Sequence, residues 1–95
     1  MLLHTINKSP YRHQAFESCI KFCREQDAIL LIEDAVYGVD HPLLLEIPHV
    51  AIYALDADLI ARGLTSKYAD QKQVTTASYE DFVSLCIKYT KQKNW

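Results

Sequence analysis

The chain has 95 residues, of which 49% are hydrophobic and 23% charged, a composition typical of a globular protein and not of a disordered one. Its length favours a single domain that spans residues 1–95. The formal net charge of −2 offers no sign of the basic surface that holds nucleic acid phosphates, so we expect no direct nucleic acid binding.

The sequence shows no secretion or membrane signal. The opening MLLHTINKSP has neither the basic nor the apolar region of a signal peptide. No apolar run approaches the roughly 18 residues that cross a bilayer. Three cysteines without the spacing of a disulfide framework favour free thiols in a reducing compartment. We therefore expect a cytoplasmic protein without a membrane segment.

The first third of the chain predicts a strand, a helix and a second strand. Residues 2–6 (LLHTI) and 28–32 (AILLI) are apolar runs, and the second is typical of a strand buried on both faces. Between them, Ser9 and Pro10 suit the cap and first position of a helix that runs to about Glu25. The apolar stripe of that helix contains Ala15, Phe16, Cys19, Ile20 and Cys23.

The middle of the chain predicts one short helix on each side of a third strand. A helix over residues 43–45 begins after Pro42 and ends before Pro48, and residues 50–55 (VAIYAL) form the strand. Asp56 or Asp58 can then cap a second short helix, which Gly63 terminates.

The last part of the chain predicts a strand and an amphipathic helix. The strand covers residues 73–77 (QVTTA), and Ser78 to Asp81 has the form of a capping box. The apolar stripe of the helix contains Phe82, Leu85, Cys86 and Tyr89. The basic residues Lys88, Lys91 and Lys93 suit the end of this helix, where they complement its dipole.

This alternation predicts an α/β fold, with a small, mostly parallel sheet of four to five strands and helices on both faces. So few helices cannot cover both faces of the sheet well. Uncovered apolar surface usually marks a partner, and we expect the isolated chain to form a homo-oligomer. Trp95, at the chain end, is a candidate interface anchor.

The cysteine pair is the first candidate site. Cys19 and Cys23 lack the ligand spacing of a zinc site, and we expect no metal. A reactive thiol needs a lowered pKa, and a helix that begins at Pro10 leaves Cys19 too far from its N-terminus to supply one. Core packing is therefore the default for Cys19, and more so for Cys23. Cys86 falls on the core stripe of the last helix.

Polar residues at the carboxyl ends of the predicted strands form a second candidate site. Asn7, Glu33, Asp34 and Asp56 fall there, where α/β proteins gather their sites. Paired carboxylates could do acid–base work, but helix caps and turns explain them equally well. His4 suits a satisfied core group better than a ligand. No glycine-rich phosphate loop is present, and we expect no cofactor.

Several segments of the chain resemble the DsrH/TusB family of small sulfur-relay subunits. The "D-L-x-A-R-G" block and the "H-T-x-x-x-S-P" opening are the most specific parts, and the match weakens across residues 38–49. The matching segments are HTINKSP (4–10), FESCIKF (16–22), LLIEDAVY (30–37), YALDADLIARGL (53–64), SYEDFV (78–83) and the terminal Trp95.

The resemblance implies a DsrE-like, flavodoxin-like fold and a cytoplasmic complex with two paralogous DsrE-like subunits, typically a dimer of heterotrimers. Such complexes pass persulfide sulfur toward 2-thiolation of the wobble uridine of tRNA, or handle sulfur in oxidation pathways. The main active cysteine belongs to a paralogue. Some members carry a cysteine at the position of Cys19, which implies a conditional and dispensable sulfur acceptor there.

We therefore interpret the chain as an accessory, non-catalytic subunit of a sulfurtransferase complex that serves tRNA thiolation. One alternative is a subunit of Dsr-type sulfur oxidation, and another is a thiol carrier that itself holds a persulfide on Cys19. A third alternative is a flavodoxin-like ligand-binding module without sulfur chemistry.

Overall fold

The computed structural model describes residues 1–69 and 71–95 and contains a sheet of five parallel strands. The strands lie side by side in the order β4-β3-β2-β1-β5. Their bounds are Leu2–Ile6 for β1, Ala28–Leu31 for β2, Ala51–Leu55 for β3, Val74–Ala77 for β4 and Lys91–Asn94 for β5. The first four agree with the predicted strands to within one residue at each end.

In the described residues, four α-helices and two 3-10 helices connect the strands. The α-helices are α1 (Ala15–Phe22), α2 (Asp56–Ala61), α3 (Thr65–Ala69) and α4 (Tyr79–Lys88), and the 3-10 helices span Glu33–Gly38 and Pro42–Glu46. One apolar cluster joins α1, α2 and both 3-10 helices to one side of the sheet, here called the α1 face. A second cluster joins α4 to the opposite side, the α4 face. The predicted α/β architecture with helices on both faces is confirmed.

The strand order explains why α4 lies apart from the other helices. The chain steps from β1 through β2 and β3 to β4 in one direction, and β5 then returns to the far side of β1. Connections between parallel strands are right-handed. A connection to a strand on one side of the sheet and a connection to a strand on the other side therefore cross opposite faces. The helix between β4 and β5 is therefore on the α4 face, and the order in which strands are added to the sheet reverses between β1 and β5.

The central strand β2 is completely buried, because helices pack on both sides of it. All four of its residues are 0% exposed. Ile29 and Leu31 enter the cluster of the α1 face, and Ala28 and Leu30 enter that of the α4 face. The continuous apolar run of this segment predicted this double burial. Among the described residues, no helix is both long enough and apolar enough to span a bilayer.

The first helix is shorter than predicted at both ends. Ser9 does not cap it: its hydroxyl accepts a hydrogen bond from the Tyr11 amide and its carbonyl accepts from the Arg12 and His13 amides, which makes a separate turn. The helix begins only at Ala15. It ends at Phe22, and Cys23 is already extended. Local turn bonds therefore outcompete the helix at both ends.

The cap and the lysines predicted for the second half of the chain also differ from the structure. Asp56 is the first residue of α2 and Leu55 occupies the cap position, without a capping hydrogen bond from its side chain. Lys91 and Lys93 lie in β5 and not at a helix end, and only Lys88 belongs to the last turn of α4. The capping box at Ser78 and the left-handed Gly63 after α2 are confirmed.

Asp27, just before β2, connects three parts of the chain. Its side chain is buried and accepts hydrogen bonds from the Leu2 amide (2.9 Å), the Arg24 amide (3.0 Å) and His4 Nε2 (2.9 Å). Burial by itself raises the pKa of Asp27, but these hydrogen bonds, that from His4 above all, outweigh it and hold the pKa below its usual 3.8. The carboxylate is therefore ionised wherever the protein is folded at ordinary pH.

His4 extends this network to the end of the chain. Its side chain is fully buried, and Trp95 Nε1 donates a hydrogen bond to His4 Nδ1 at 3.1 Å. Because an indole N–H can only donate, Nδ1 is the acceptor and Nε2 carries the proton that His4 gives to Asp27. The prediction that His4 is a satisfied core group is confirmed. Trp95, predicted as an interface anchor, holds the C-terminus of its own chain.

Replacing Asp27 by Asn should destabilise the fold by about 3 kcal/mol, since an amide has one acceptor oxygen and cannot accept from Leu2 at one position and from His4 and Arg24 at the other. The folded pKa of Asp27 lies below 3.8, so its contribution is present above that pH and is lost as the pH falls through the folded value. Urea unfolding of the wild-type protein and the Asp27→Asn variant from pH 7 to pH 2.5 measures this pH dependence of stability. The two stabilities should converge in acid.

Asp40→Asn is the matched control, because Asp40 pairs with Lys67 Nζ at 3.2 Å on the protein surface. Its effect should stay within about 0.5 kcal/mol. An Asp27→Asn variant as stable as the control at pH 7 would contradict the role given to the Asp27 network.

Candidate functional site

Cys19, the candidate sulfur acceptor, lies inside the cluster of the α1 face. Its side chain is 0% exposed, as core packing predicts. The short helix places Cys19 only four residues after Ala15, nearer the helix N-terminus than predicted. Burial, followed by the nearby Cys23 and Asp27, nevertheless raises the pKa of its thiol far above the ordinary range, against a small opposing effect of Lys93. Cys19 is therefore a protonated, inaccessible thiol in the isolated chain.

Cys23 is more accessible than Cys19, which reverses the predicted order. The residue follows the end of α1 in extended conformation and is half-buried. It lines a groove of about 300 Å³ beside Glu46, Pro48 and His49. Burial and the Asp27 charge raise the pKa of Cys23 as well, although the hydrogen bonding of its own segment opposes them. A more open thiol thus lies one helical turn from the candidate acceptor.

Cys86 was predicted to lie in the core of the last helix, but it is only half-buried. It packs against the cluster of the α4 face. The three free thiols therefore differ in environment: Cys19 is enclosed by the α1 face, Cys23 opens to a groove, and Cys86 borders the α4 face.

The candidate acids after β2 meet a partner that the sequence analysis did not single out. Arg62 Nε donates a hydrogen bond to Asp34 Oδ1 at 2.9 Å, and Arg62 Nη1 lies 3.6 Å from Asp58 Oδ1. Asp58 Oδ2 also accepts from the Glu33 amide at 2.7 Å. The "D-L-x-A-R-G" block therefore ties α2 to the end of β2. The i,i+4 spacing of Asp58 and Arg62 was the signal that could have revealed the pair.

The cluster of Asp34, Asp58 and Arg62 is better suited to stabilising a turn than to acid–base catalysis. Glu33 adopts a left-handed conformation with φ of 50°, which is strained for a residue with a side chain, and the bond from its amide to Asp58 compensates for part of that cost. Asp56 stays exposed at the start of α2. Across residues 1–69 and 71–95, no group of three or more His, Cys, Asp or Glu side chains could hold a metal ion.

The remaining candidate, Asn7, lines a groove of about 330 Å³ between β1 and β5, where the order of the strands in the sheet reverses. This position is where open α/β sheets bind ligands. The groove is lined by Thr5, Asn7, Ile32, Phe82, Gln92, Asn94 and Trp95. Its polar groups are a hydroxyl and amides without formal charge. They can offer hydrogen bonds to a neutral ligand or to another protein, but they supply no acid, base or nucleophile.

The labelling rates of the three cysteines should follow their burial, with the partly exposed thiols faster than the buried one. With N-ethylmaleimide at pH 8, Cys23 and Cys86 of the folded protein should react first, and Cys19 at least about tenfold more slowly, since each unit of raised pKa removes about nine-tenths of the thiolate. Mass spectrometry of peptides after timed quenching gives the three rates. Urea-unfolded protein, in which all three thiols are open, is the control. Equal rates for Cys19 and Cys23 in the folded state would contradict the structure.

Comparison with known proteins assigns the whole arrangement to one family. The family model described as DsrH like protein matches residues 8–92. Protein TusB from Escherichia coli strain SMS-3-5 is 37% identical over 98 residues, and the match covers 99% of this chain and 100% of that protein. Protein TusB from Escherichia fergusonii has the same identity and coverage.

A known structure has the same fold. The solution NMR structure of protein Tm0979 from Thermotoga maritima aligns with a TM-score of 0.72 and 25% identity, covering 93% of each chain. The sequence segments, the full-length similarity and the shared fold agree. The chain belongs to the DsrH/TusB family, the family of sulfur-relay subunits that its sequence motifs resemble.

Proposed function

We propose that this chain is an accessory, non-catalytic subunit of a cytoplasmic sulfur-relay complex that serves 2-thiolation of the tRNA wobble uridine. The observation that carries the proposal is the state of Cys19 in a chain that matches TusB proteins from end to end. Cys19 is fully buried and its pKa is raised. A thiol in that state does not attack a persulfide on its own, so the principal sulfur carrier belongs to another subunit.

The proposed partners are two paralogous DsrE-like subunits, in a dimer of heterotrimers. The exposed apolar surface of this chain supports assembly, because three large apolar residues of α4 face solvent. A subunit that contributes structure and interface needs such a surface more than it needs a nucleophile. Affinity purification of the tagged chain from cells that express all three proteins tests the assembly, and recovery of the chain without either paralogue contradicts it.

Sulfur oxidation of the Dsr type is the second candidate function, because the matching family model carries the DsrH name. The two functions need different experiments. Loss of tRNA 2-thiouridine when this gene is deleted, with restoration by the wild-type chain, supports the relay to tRNA. Unchanged thiouridine together with a defect in oxidising reduced sulfur supports the other candidate.

Substituting Cys19 should leave the complex assembled and most of the tRNA thiolation intact. Cys19→Ser and Cys19→Ala are both needed, since Ser places a hydroxyl in an apolar site whereas Ala only removes the sulfur. The readouts are 2-thiouridine by mass spectrometry of digested tRNA and recovery of the complex. Cys23→Ser is the matched control for the neighbouring thiol.

Substitution of the catalytic cysteine in the paralogue should abolish thiolation and calibrates the assay. If both Cys19 variants lose all thiolation while their complexes still assemble, Cys19 is an essential carrier and the accessory role is wrong. Mass spectrometry after exposure to a persulfide donor then shows whether Cys19 gains one sulfur.

The isolated chain should not bind tRNA. Its net charge is −2. Lys93 Nζ makes cation–π contacts with the rings of Trp95 (4.8 Å) and Phe22 (5.4 Å). Phosphate binding depends on clustered, available cations and weakens steeply with salt. Filter binding at near-physiological salt measures the affinity, with a basic tRNA-binding protein as positive control. Micromolar binding with a steep salt slope would contradict this expectation.

A further inference from the structure

Strand β5 forms an open edge of the sheet, here called the β5 edge. All four of its residues, Lys91–Asn94, are exposed, and it lies at the end of the strand order, beside β1. The Trp95 amide, which follows β5, donates to the Thr5 carbonyl of β1 at 2.9 Å. Successive residues of a strand direct their backbone groups to opposite sides, so Gln92 and Asn94 direct their N–H and C=O away from β1. These groups are positioned to pair with a further strand.

The opposite edge of the sheet, at β4, is closed by side chains of its own chain. Gln71 Oε1 accepts a hydrogen bond from the Val74 amide at 2.8 Å, and Tyr68 Oη accepts one from the Thr76 amide at 3.1 Å. These amides are backbone donors that an added strand would need. The β5 edge is therefore the better place for a strand from another molecule.

The β5 edge is basic on the α1 face. Lys91 lines a groove of about 380 Å³ together with Arg24 and Phe22, and Lys93 Nζ lies 5.4 Å from the centroid of the Phe22 ring. The Asp27 carboxylate also borders this groove, but its hydrogen bonds inside the chain already occupy it.

These three cations have no acidic partner within their own chain. Over residues 1–69 and 71–95, no ion pair joins the side chain of Lys91, Lys93 or Arg24 to a carboxylate. The cations gather at one edge of a chain whose net charge is −2. Such a local excess of positive charge complements a ligand that carries carboxylates.

The β5 edge is polar but uncharged on the α4 face. Gln92 and Asn94 line the groove of about 330 Å³, next to Phe82. The side chains of an added strand would alternate between the two faces of the sheet, as those of β5 do. One set would therefore lie beside the three cations, and the other set would lie over this uncharged groove.

We propose that the β5 edge binds an extended acidic segment of another protein as a sixth strand of the sheet. Acidic side chains at alternate positions of that segment lie beside Lys91, Lys93 and Arg24, and the side chains between them are uncharged. The backbone groups of Gln92 and Asn94 supply the pairing, and the cations select the charge of the segment. This interaction goes beyond the proposed function and does not depend on the sulfur relay.

A second copy of the chain and a nucleic acid fit this edge less well. The β5 strand of a second copy would bring the same lysines, and like charges on paired strands are destabilising. A phosphate backbone has no N–H to donate to the open carbonyls of Gln92 and Asn94, and three cations on an acidic chain provide few phosphate contacts. An acidic polypeptide uses both the charges and the backbone groups.

A short peptide of alternating threonine and glutamate, with blocked ends and a fluorescent label, is the probe for this edge. Threonine favours strands and is uncharged. Fluorescence anisotropy at about 0.1 M salt should give saturable binding with a dissociation constant below about 1 mM. A peptide of the same composition, with all its threonines before its glutamates, is the matched control. It should bind about fivefold more weakly, because its glutamates alternate between the two faces.

Two substitutions test the charge and the backbone separately. Lys91→Glu should weaken binding about fivefold, since it replaces an exposed attraction by a repulsion. Lys72→Glu makes the same charge change at an exposed residue before β4, at the other edge of the sheet, and should bind within about twofold of the wild type. Gln92→Pro should also weaken binding about fivefold, because it removes an N–H that points away from β1. Thermal melts check that the variants fold.

Amide hydrogen exchange of the wild-type chain locates the added strand without any substitution. Saturating peptide should slow the exchange of the Gln92 and Asn94 amides by at least about fivefold. The Trp95 amide is the internal control, because it already donates to Thr5 and should keep its rate.

The proposal is overturned by a wild-type chain that does not bind the peptide up to about 1 mM, or that binds both peptides equally. It is also overturned by wild-type affinity in Lys91→Glu or Gln92→Pro, or by unchanged exchange of the Gln92 and Asn94 amides. Tighter binding of a single-stranded oligothymidylate of the same formal charge would identify nucleic acid as the occupant and overturn it too. No readout involves tRNA thiolation or the paralogues, so the proposed function is tested separately.

Discussion

The ionised carboxylate of Asp27 is the interaction on which the rest of the structure depends. It accepts hydrogen bonds from the Leu2 amide and the buried His4 ring of β1 and from the Arg24 amide after the end of α1, so that β1 and the turn before β2 meet at one charge. Through His4, the network reaches Trp95 and fixes the C-terminal strand beside β1. A buried carboxylate without these partners would carry a large desolvation cost, so the segments and the charge stabilise each other.

The same network helps to explain why neither Cys19 nor Cys23 is an activated thiol. Asp27 places negative charge near Cys19 and Cys23, and burial already disfavours the thiolate of both. The arrangement that stabilises the α1 face thus also disfavours the thiolate forms of Cys19 and Cys23. The α4 face is different: it has one short helix with open grooves beside it, and Tyr79, Val83 and Ile87 of that helix are exposed. This difference between an enclosed α1 face and an open α4 face is consistent with a subunit whose proposed contribution is structural.

Much of the architecture could be predicted because it depends on local patterns. Residues close together in sequence are enough to predict three features: the buried strand β2, the capping box at Ser78 and the glycine that ends α2. Helix α1 shows the limit of that reasoning. Ser9 and Pro10 are residue types typical of a helix start. The hydroxyl and carbonyl of Ser9 instead accept hydrogen bonds that form a turn, and the helix begins only at Ala15. Residue type alone cannot distinguish these two uses of one serine.

The sequence by itself determined the α/β class, the burial of β2 and Cys19, and the segments that resemble the family, because periodicity and residue type are properties of the chain. Only the tertiary structure decided which distant groups meet. It joined Arg62 to Asp34, His4 to both Asp27 and Trp95, and the lysine-rich C-terminal segment to β1 as a fifth strand. It also made Cys23 more open than Cys19, because helix α1 ends one residue before Cys23. Such pairings depend on the spatial order of the strands, and residue spacing along the chain does not encode that order.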